Sequence, residues 1–227
     1  MNSCLFCQKE MQLPGGFQAL FQKAAQSFWC EDCIAKWAFI KGPTCPTCHR
    51  WMETVEICLD CKKWQADPIY SGCLDENISV LAYNSFCQQV LAQYKYRGDY
   101  ILAVAIADLL KSKLKQISFD LITPIPLSEE RRYERGFNQS EALITALGKK
   151  PTILLTRMHT EKQSKKTRKE RLETPQVFRF TGQQEMSGKK VLIVDDIYTT
   201  GTTLYHAAKL LKEAGVSEVR SLTMARS

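Results

Sequence analysis

The chain has 227 residues and a formal net charge of +7 at pH 7, with 44% hydrophobic and 24% charged residues. This balance is ordinary for a soluble globular protein. No stretch approaches the roughly 20 apolar residues that cross a bilayer, and the start lacks the features of a signal peptide, so we expect a cytoplasmic protein without membrane insertion. The positive charge favours an anionic ligand or a nucleic acid.

Cysteine pairs dominate the first part of the chain. Four Cys-x-x-Cys pairs contain Cys4 and Cys7, Cys30 and Cys33, Cys45 and Cys48, and Cys58 and Cys61. Such a pair places two thiolates on one tight turn, and two pairs complete a tetrahedral zinc site. A redox or disulfide set is the alternative, but disulfides are rare in the cytoplasm. We therefore expect two zinc ions in a small zinc-ribbon-like domain over residues 1–67.

The spacing of the cysteines leaves their pairing open. A sequential arrangement joins the first pair to the second and the third to the fourth, across 22 and 9 intervening residues. A cross-braced arrangement would instead join the first pair to the third. We prefer the sequential arrangement, because residues 45–61 resemble a compact zinc ribbon. His49 is an additional candidate ligand, although eight cysteines suffice for two sites.

From residue 68 to residue 227 the pattern changes to strands that alternate with helices. The hydrophobic periodicity predicts helices near 85–99, 100–117, 138–149 and 203–215, with Asn138 as a candidate N-cap. Strands are predicted near 78–84, 119–127, 152–158, 177–180, 189–197 and 216–225. This alternation predicts an α/β fold with a mostly parallel sheet flanked by helices.

The segment VLIVDDIYTTGTT, residues 191–203, carries the strongest functional signal. Its four apolar residues predict a strand covered on both faces, and Asp195 and Asp196 follow at the carboxyl end, where α/β sheets bind ligands. The loop that leads into the next helix contains Thr199, Thr200, Gly201, Thr202 and Thr203. Backbone N–H groups at a helix start attract anions, whereas carboxylates suit hydroxyl donors or Mg2+. A ribose that carries a 5-phosphate meets both demands.

This segment resembles the phosphoribosyl-pyrophosphate (PRPP) binding motif of type I phosphoribosyltransferases. The resemblance implies that Asp195 and Asp196 hold the ribose hydroxyls during catalysis and that the threonine–glycine loop binds the 5-phosphate. With YKYRGD, PIPLSEERRYERGFNQSE and the cysteine-rich start, nearly the whole chain is similar to the ComF family. That similarity implies a type I phosphoribosyltransferase fold over residues 68–227, a role in uptake and processing of single-stranded DNA during natural transformation, and a helicase-like partner, ComFA.

The segment RRYERGFNQ supplies candidate contacts for pyrophosphate. Its position corresponds to the pyrophosphate loop of the family, which implies that Arg131 binds the ligand and that Arg135 assists catalysis, with Mg2+ stabilising the leaving group. The alternative is a solvated helix face, because glutamates are interleaved with the arginines. We favour the ligand-binding interpretation, because Gly136 interrupts the helical pattern where a ligand loop is expected.

Residues 157–175 form a basic segment, and its first fifteen residues contain seven Lys or Arg and two Glu. The segment is almost devoid of apolar residues, so it cannot pack into a core. The family resemblance implies a mobile arm that closes over the active site. The positive charge also suits the phosphate backbone of single-stranded DNA, for which Lys95 and Arg97 are further candidate contacts.

Three functions are compatible with these patterns. The first is a ComF-type transformation protein that binds PRPP or a related phosphosugar. The second is a salvage phosphoribosyltransferase that transfers ribose 5-phosphate from PRPP to a nucleobase. The third is an interaction protein whose fold has lost its ligand. We favour the first, because the phosphate loop is intact while no residue identifies a nitrogenous acceptor, and turnover stays open.

Overall fold

The computed structural model describes residues 3–11, 28–96, 99–158 and 177–227. The strands in this part of the chain are β1 (Glu76–Ala82), β2 (Leu121–Pro124), β3 (Leu155–Arg157), β4 (Phe178–Phe180), β5 (Lys190–Tyr198) and β6 (Glu218–Arg226). The helices are α1 (Glu31–Ile34), α2 (Leu59–Ala66), α3 (Ser85–Tyr96), α4 (Leu102–Leu114), α5 (Glu129–Arg135), α6 (Gln139–Ala146) and α7 (Thr202–Glu213). No helix in these ranges combines the length and hydrophobicity that a membrane span requires.

The main sheet is parallel, with the strand order β1-β6-β5-β2. Its central strand β5 is covered on both faces, as an unbroken apolar run predicts. Leu192 and Val194 pack into one apolar cluster with α3, α4 and α6, whereas Val191 and Ile193 pack into a second cluster with α7. The prediction of a mostly parallel sheet flanked by helices is confirmed.

The strands predicted at 152–158 and 177–180 do not extend this sheet. They form the separate antiparallel pair β3–β4, in which Leu155 lies opposite Phe180. Leu155 and Phe178 are buried in the same apolar cluster as α7, so the pair packs beside that helix. Most of the basic segment 157–175 lies outside the described residues, and the closing arm stays a prediction.

Both cysteine sets have the same local construction. The first pair of each set forms a tight turn, followed by a residue with positive φ, Gln8 (60°) or His49 (57°). The backbone N–H of that residue donates to the carbonyl of the first cysteine at 2.9 Å in both turns. The second pair of each set opens a helix, with Cys30 as the N-cap of α1 and Cys58 as the N-cap of α2.

The cysteine-rich region packs directly against the main sheet. Residues 38–40 run antiparallel to β1 and share with it two backbone hydrogen bonds of 2.8 and 3.0 Å. This contact covers the edge of the sheet, which would otherwise expose unpaired backbone groups. The two cysteine sets pack into opposite apolar clusters, one on each face of the sheet. A boundary between residues 67 and 68 stays a prediction.

Candidate functional site

A cavity of about 240 Å³ lies at the carboxyl ends of β2 and β5. Its charged lining consists of Asp195 and Asp196 from β5, Lys95 from α3, Arg131 and Arg135 from α5, and Arg157 from β3. Four cations therefore share the cavity with two adjacent acids. This arrangement suits a polyanionic ligand that also presents hydroxyl groups, because the cations attract phosphate oxygens while the carboxylates accept hydrogen bonds.

Asp195 is partly buried and is held by two hydrogen bonds. Its Oδ1 accepts from the hydroxyl of Ser140 at 3.3 Å and from the backbone N–H of Asp196 at 2.9 Å. Burial, together with the negative charge of Asp196, raises the pKa of Asp195 to about 7. The carboxyl group therefore changes its protonation near neutral pH, and a ligand that favours its charged form would displace a proton.

Lys95 forms an ion pair with Asp196, and their side chains are only 17% and 14% exposed. The last turn of α3 brings this lysine to the end of β5. The sequence suggests Lys95 as a contact for DNA at the surface, but the structure places it in the cavity beside the acid pair. The ion pair compensates the charge of Asp196, which would be costly to bury alone.

The segment predicted to form a pyrophosphate loop is the short helix α5. The Ser128 side chain caps its start by accepting from the backbone N–H of Arg131, and Gly136 ends it in the left-handed conformation with φ 76°. None of its residues is buried. Arg131 and Arg135 nevertheless line the cavity, and their role in pyrophosphate binding stays a prediction.

Gln139 supplies a hydrogen-bond donor that sequence analysis did not identify. Its side chain is 2% exposed and lines the cavity. Its Oε1 accepts from Arg135 at 3.0 Å, and its Nε2 has no partner among the described residues. A buried amide without a partner is costly, so this N–H group is available to an oxygen atom of a ligand.

The threonine loop joins β5 to α7. Gly201 is the N-cap of α7 with φ 88°, and a Cβ there would overlap the tyrosine that ends β5. Thr199 and Thr203 line the cavity. Thr200 and Thr202 belong to the same loop without lining the cavity, and their hydroxyls lie 2.9 Å apart. The loop therefore brings two of its threonines and the start of a helix to the ligand side.

Two further residues reach the site from separate elements. Asn138 caps α6 as predicted, accepting from the backbone N–H of Ser140, and this places the Ser140 hydroxyl against Asp195. Arg157 reaches the cavity from β3, where burial and the positive charge of Arg131 lower its pKa. Ser140 and Arg157 lie in segments that the sequence analysis noted, but only the fold brings these two side chains to the end of β5.

The cysteines form two clusters, in the sequential arrangement. The first cluster contains Cys4, Cys7, Cys30 and Cys33, and the second cluster contains Cys45, Cys48, Cys58 and Cys61. Within each cluster all Sγ atoms lie within 4.8 Å of one another, and the Cys7–Cys30 and Cys48–Cys58 sulfur separations are both 3.6 Å. A zinc ion with Zn–S bonds of about 2.3 Å requires sulfur separations of about 3.8 Å, so both clusters fit zinc. His49 instead contacts Glu76 at 3.3 Å.

Comparison with known proteins decides the family. Residues 133–227 match the family described as the phosphoribosyl transferase domain. The competence protein ComFC of Bacillus subtilis (strain 168) is 36% identical over 228 residues, which cover 99% of this chain and 95% of the relative. The chain belongs to the ComF family. A second ComF protein, ComFC of Streptococcus pneumoniae (strain ATCC BAA-255 / R6), is 34% identical over 98% of this chain and 99% of its own.

The family assignment confirms the resemblance seen in the sequence, and the domain match confirms the type I phosphoribosyltransferase fold of this ComF protein. A solved adenine phosphoribosyltransferase of Saccharomyces cerevisiae is 16% identical, covers 64% of this chain and 76% of its own, and has a TM-score of 0.38.

Proposed function

We propose that this ComF protein binds PRPP or a related phosphosugar in the cavity at the ends of β2 and β5, and that it acts in the cytoplasm during natural transformation. The observation that carries the proposal is the meeting of the acid pair, the threonine loop and four cations in one cavity. The names of the relatives support the second part, because both are competence proteins.

The proposed ligand satisfies each side of the cavity. The 5-phosphate suits the threonine loop and the positive end of α7, where backbone N–H groups are available. The ribose hydroxyls can donate to Asp195 and Asp196. The pyrophosphate suits the arginines, because planar guanidinium groups bind phosphate oxygens in pairs. It also suits the Nε2 group of Gln139, which has no partner among the described residues.

Mg2+ fits this cavity as a companion of PRPP. Asp195 and Asp196 offer the hard oxygen ligands that Mg2+ prefers, and the ion usually reaches proteins together with substrate phosphates. When bound, it would neutralise charge on the pyrophosphate. Lys95, Arg131 and Arg135 would share that task from the protein side, which makes them candidates for stabilising a leaving group.

Titration calorimetry with Mg-PRPP tests the binding proposal. The double variant Asp195→Asn, Asp196→Asn keeps the size of both side chains but loses the charged acceptors, so we expect its Kd to rise by about tenfold or more. Asp108→Asn, which changes a surface acid on α4, is the control and should bind as the wild type does. Equal affinity in the double variant would contradict the proposal.

Salvage of nucleobases is the second candidate function. The cations around the cavity favour it, because pyrophosphate must be stabilised as it leaves. Release of pyrophosphate from PRPP, measured over a panel of purine and pyrimidine bases, tests turnover. Release with one base class would assign this ComF protein to salvage, whereas binding of PRPP without release would favour a binding role.

Single-stranded DNA and a ComFA-like helicase are the macromolecular partners that we propose. Support comes from the family and from the basic segment 157–175, which begins at the cavity with Arg157. Lys95 is not among the proposed DNA contacts, because it is paired inside the cavity. Sedimentation of the two purified proteins together tests the helicase partner, and separate sedimentation at micromolar concentration would argue against it.

We also propose that the two cysteine clusters hold two zinc ions and that residues 1–67 form the zinc module. The support is the fit of both clusters to tetrahedral thiolate coordination. Metal binding would contribute folding free energy to a region that is too small to bury much apolar area on its own. Elemental analysis of the purified chain should find two zinc ions per molecule.

A further inference from the structure

The helix that follows the second cluster contacts the threonine loop. Trp64 of α2 donates its indole N–H to the carbonyl of Thr200 at 2.8 Å. The same indole stacks on Tyr205, with ring centroids 4.2 Å apart and planes 11° apart. Tyr205 lies in the first turn of α7 and is 2% exposed. The helix α2, whose N-cap is Cys58, therefore contacts both the loop and the helix that the loop opens.

A buried arginine makes a second connection between the same two regions. Arg226, at the end of β6, is 3% exposed, and its Nε donates to the Sγ of Cys48 at 3.4 Å. Its Nη1 donates to the carbonyls of Thr199 at 2.8 Å and Tyr198 at 3.3 Å. The guanidinium also lies over the Tyr198 ring, 4.6 Å from its centroid. One side chain thus joins a cysteine of the second cluster to the start of the threonine loop.

These contacts orient three successive peptide groups. The carbonyls of Tyr198, Thr199 and Thr200 all accept hydrogen bonds from Arg226 or Trp64. In a planar trans peptide the carbonyl and the N–H of the next residue point in opposite directions. The N–H groups that follow these carbonyls therefore face away from the donors, and successive N–H groups on one side of a loop form a site for anions.

The first cluster makes a different connection. Its neighbour Trp29 donates its indole N–H to the carbonyl of Ala105 in α4, at 3.0 Å, on the opposite face of the sheet from α7. Within the part of the chain that the structure describes, no hydrogen bond joins this cluster to the threonine loop. The two clusters are alike in local construction but differ in what they support.

We propose that the second cluster, when it holds its metal ion, positions the threonine loop for phosphate binding through Trp64 and Arg226. The inference rests on the proposed function, because the phosphate role of the loop comes from there. Metal binding fixes Cys48 as an acceptor for Arg226 and fixes Cys58 at the start of α2. Trp64 and Arg226 are positioning residues, since they act on the loop from the side opposite to the ligand.

Hydrogen–deuterium exchange of the peptides that cover residues 198–207 tests the inference without any ligand, because the backbone N–H of Tyr205 donates to the carbonyl of Gly201 at 2.9 Å and so reports the order of the loop. Trp64→Phe keeps an aromatic ring against Tyr205 but loses the indole donor, so these hydrogen-bonded amides should exchange several-fold faster while two zinc ions are retained. Trp29→Phe is the matched control, because it loses an equivalent indole–carbonyl bond elsewhere. Equal exchange in Trp64→Phe and wild type would overturn the inference.

The arginine and the metal are tested in the same way. Arg226→Gln should accelerate exchange of the loop. Arg220→Gln is the control: Arg220 lies on the same strand as Arg226 but forms ion pairs with Glu76 and Glu218, so its loss should leave exchange of the loop unchanged. Cys58→Ser and Cys30→Ser should each lose one zinc ion, and only Cys58→Ser should accelerate exchange of the loop. If either cysteine variant fails to fold, Trp64→Phe decides.

Calorimetry with ribose 5-phosphate separates this inference from the proposed function. We expect Trp64→Phe to weaken binding by roughly five- to tenfold, the effect of one hydrogen bond, while Trp29→Phe binds as wild type. If Trp64→Phe accelerates exchange of the loop but the wild type binds no phosphosugar, the coupling between the second cluster and the loop is supported and the proposed function is refuted. Wild-type binding with unchanged exchange and affinity in Trp64→Phe would refute the coupling alone.

Discussion

Two adjacent and partly buried carboxylates lower the folding stability of this protein. Asp195 lies between the charge of Asp196 and the hydroxyl of Ser140, and Lys95 compensates the second acid rather than the first. Burial next to a like charge raises the pKa of Asp195 to about 7, far above its ordinary value. The position is suited to ligand binding at the expense of stability, a common property of functional sites.

We expect Asp195→Asn to stabilise the protein in a pH-dependent way. The folded chain holds the Asp195 proton up to about pH 7, whereas the unfolded chain releases it near pH 4, at the ordinary aspartate pKa of about 3.9. Stability from this group is therefore present at low pH and is lost as the pH rises toward 7. Asparagine lacks this dependence, so its advantage in Tm should be small near pH 4 and largest above pH 7.

Differential scanning fluorimetry from pH 4.5 to pH 8 measures this difference. Asp108→Asn, the surface variant on α4, serves as the reference for a general effect of removing one negative charge. If the increase in Tm of Asp195→Asn stays constant over this pH range, burial of Asp195 next to Asp196 is not the cause of the increase.

The threonine loop is an element in which the backbone, more than the side chains, determines the geometry. Gly201 combines a left-handed φ of 88° with a site that has no room for a Cβ, because the Tyr198 hydroxyl lies there. The strand β5 and the helix α7 are thus joined by a tight turn over a buried aromatic ring. Such a turn keeps the start of α7 close to the end of β5, where the acid pair lies.

Gly201→Ala should damage this element more than a comparable change elsewhere. Gly188 has a similar φ of 71°, and no atom of the described residues lies within 4 Å of an added Cβ, so Gly188→Ala measures the cost of left-handed backbone alone, about 1 kcal/mol. Gly201→Ala carries the overlap with Tyr198 in addition, and we expect a larger loss of unfolding free energy in urea, together with weaker binding of PRPP. Equal losses in the two variants would mean that the loop can move aside without cost.

At the scale of the whole molecule, positive charge is divided between the inside of the cavity and the basic segment. The four cavity cations outnumber Asp195 and Asp196, so the cavity keeps a net positive charge, which salt screens beyond about 8 Å. Residues 157–175 then supply much of the excess charge that a nucleic acid would meet. Because this segment begins at the cavity, DNA binding and ligand binding would use neighbouring parts of the protein.

Affinity for single-stranded DNA should fall steeply with salt if the basic segment binds the phosphate backbone. Replacing Lys165, Lys166, Arg168 and Lys169 by Gln should weaken binding and reduce the slope of log K against log salt by about 0.7 for each phosphate that the variant no longer neutralises. Fluorescence anisotropy with a labelled oligothymidylate, over a series of salt concentrations, measures both quantities. An unchanged slope would exclude the segment from the DNA interface.

Local sequence patterns predict those parts of this protein whose structure depends on neighbouring residues in the chain. Two cysteines on one turn, a run of four apolar residues and a loop of threonines around a glycine each restrict the chain over a few residues. The parallel sheet, the two cysteine sets and the position of Asp195 and Asp196 at a strand end could therefore be predicted. The pairing of β3 with β4 could not, because a short apolar run does not specify its partner strand.

The packing of the whole fold determines which distant side chains line the cavity. Lys95 and Arg157 reach the acid pair from separate elements, and a lysine has no local pattern that distinguishes a cavity from a surface. Trp64 and Thr200 are 136 positions apart in the chain, and Cys48 and Arg226 are 178 apart. Contacts over such separations depend on how the sheet orders its strands and on which face each cysteine cluster covers, and these are properties of packing rather than of local sequence.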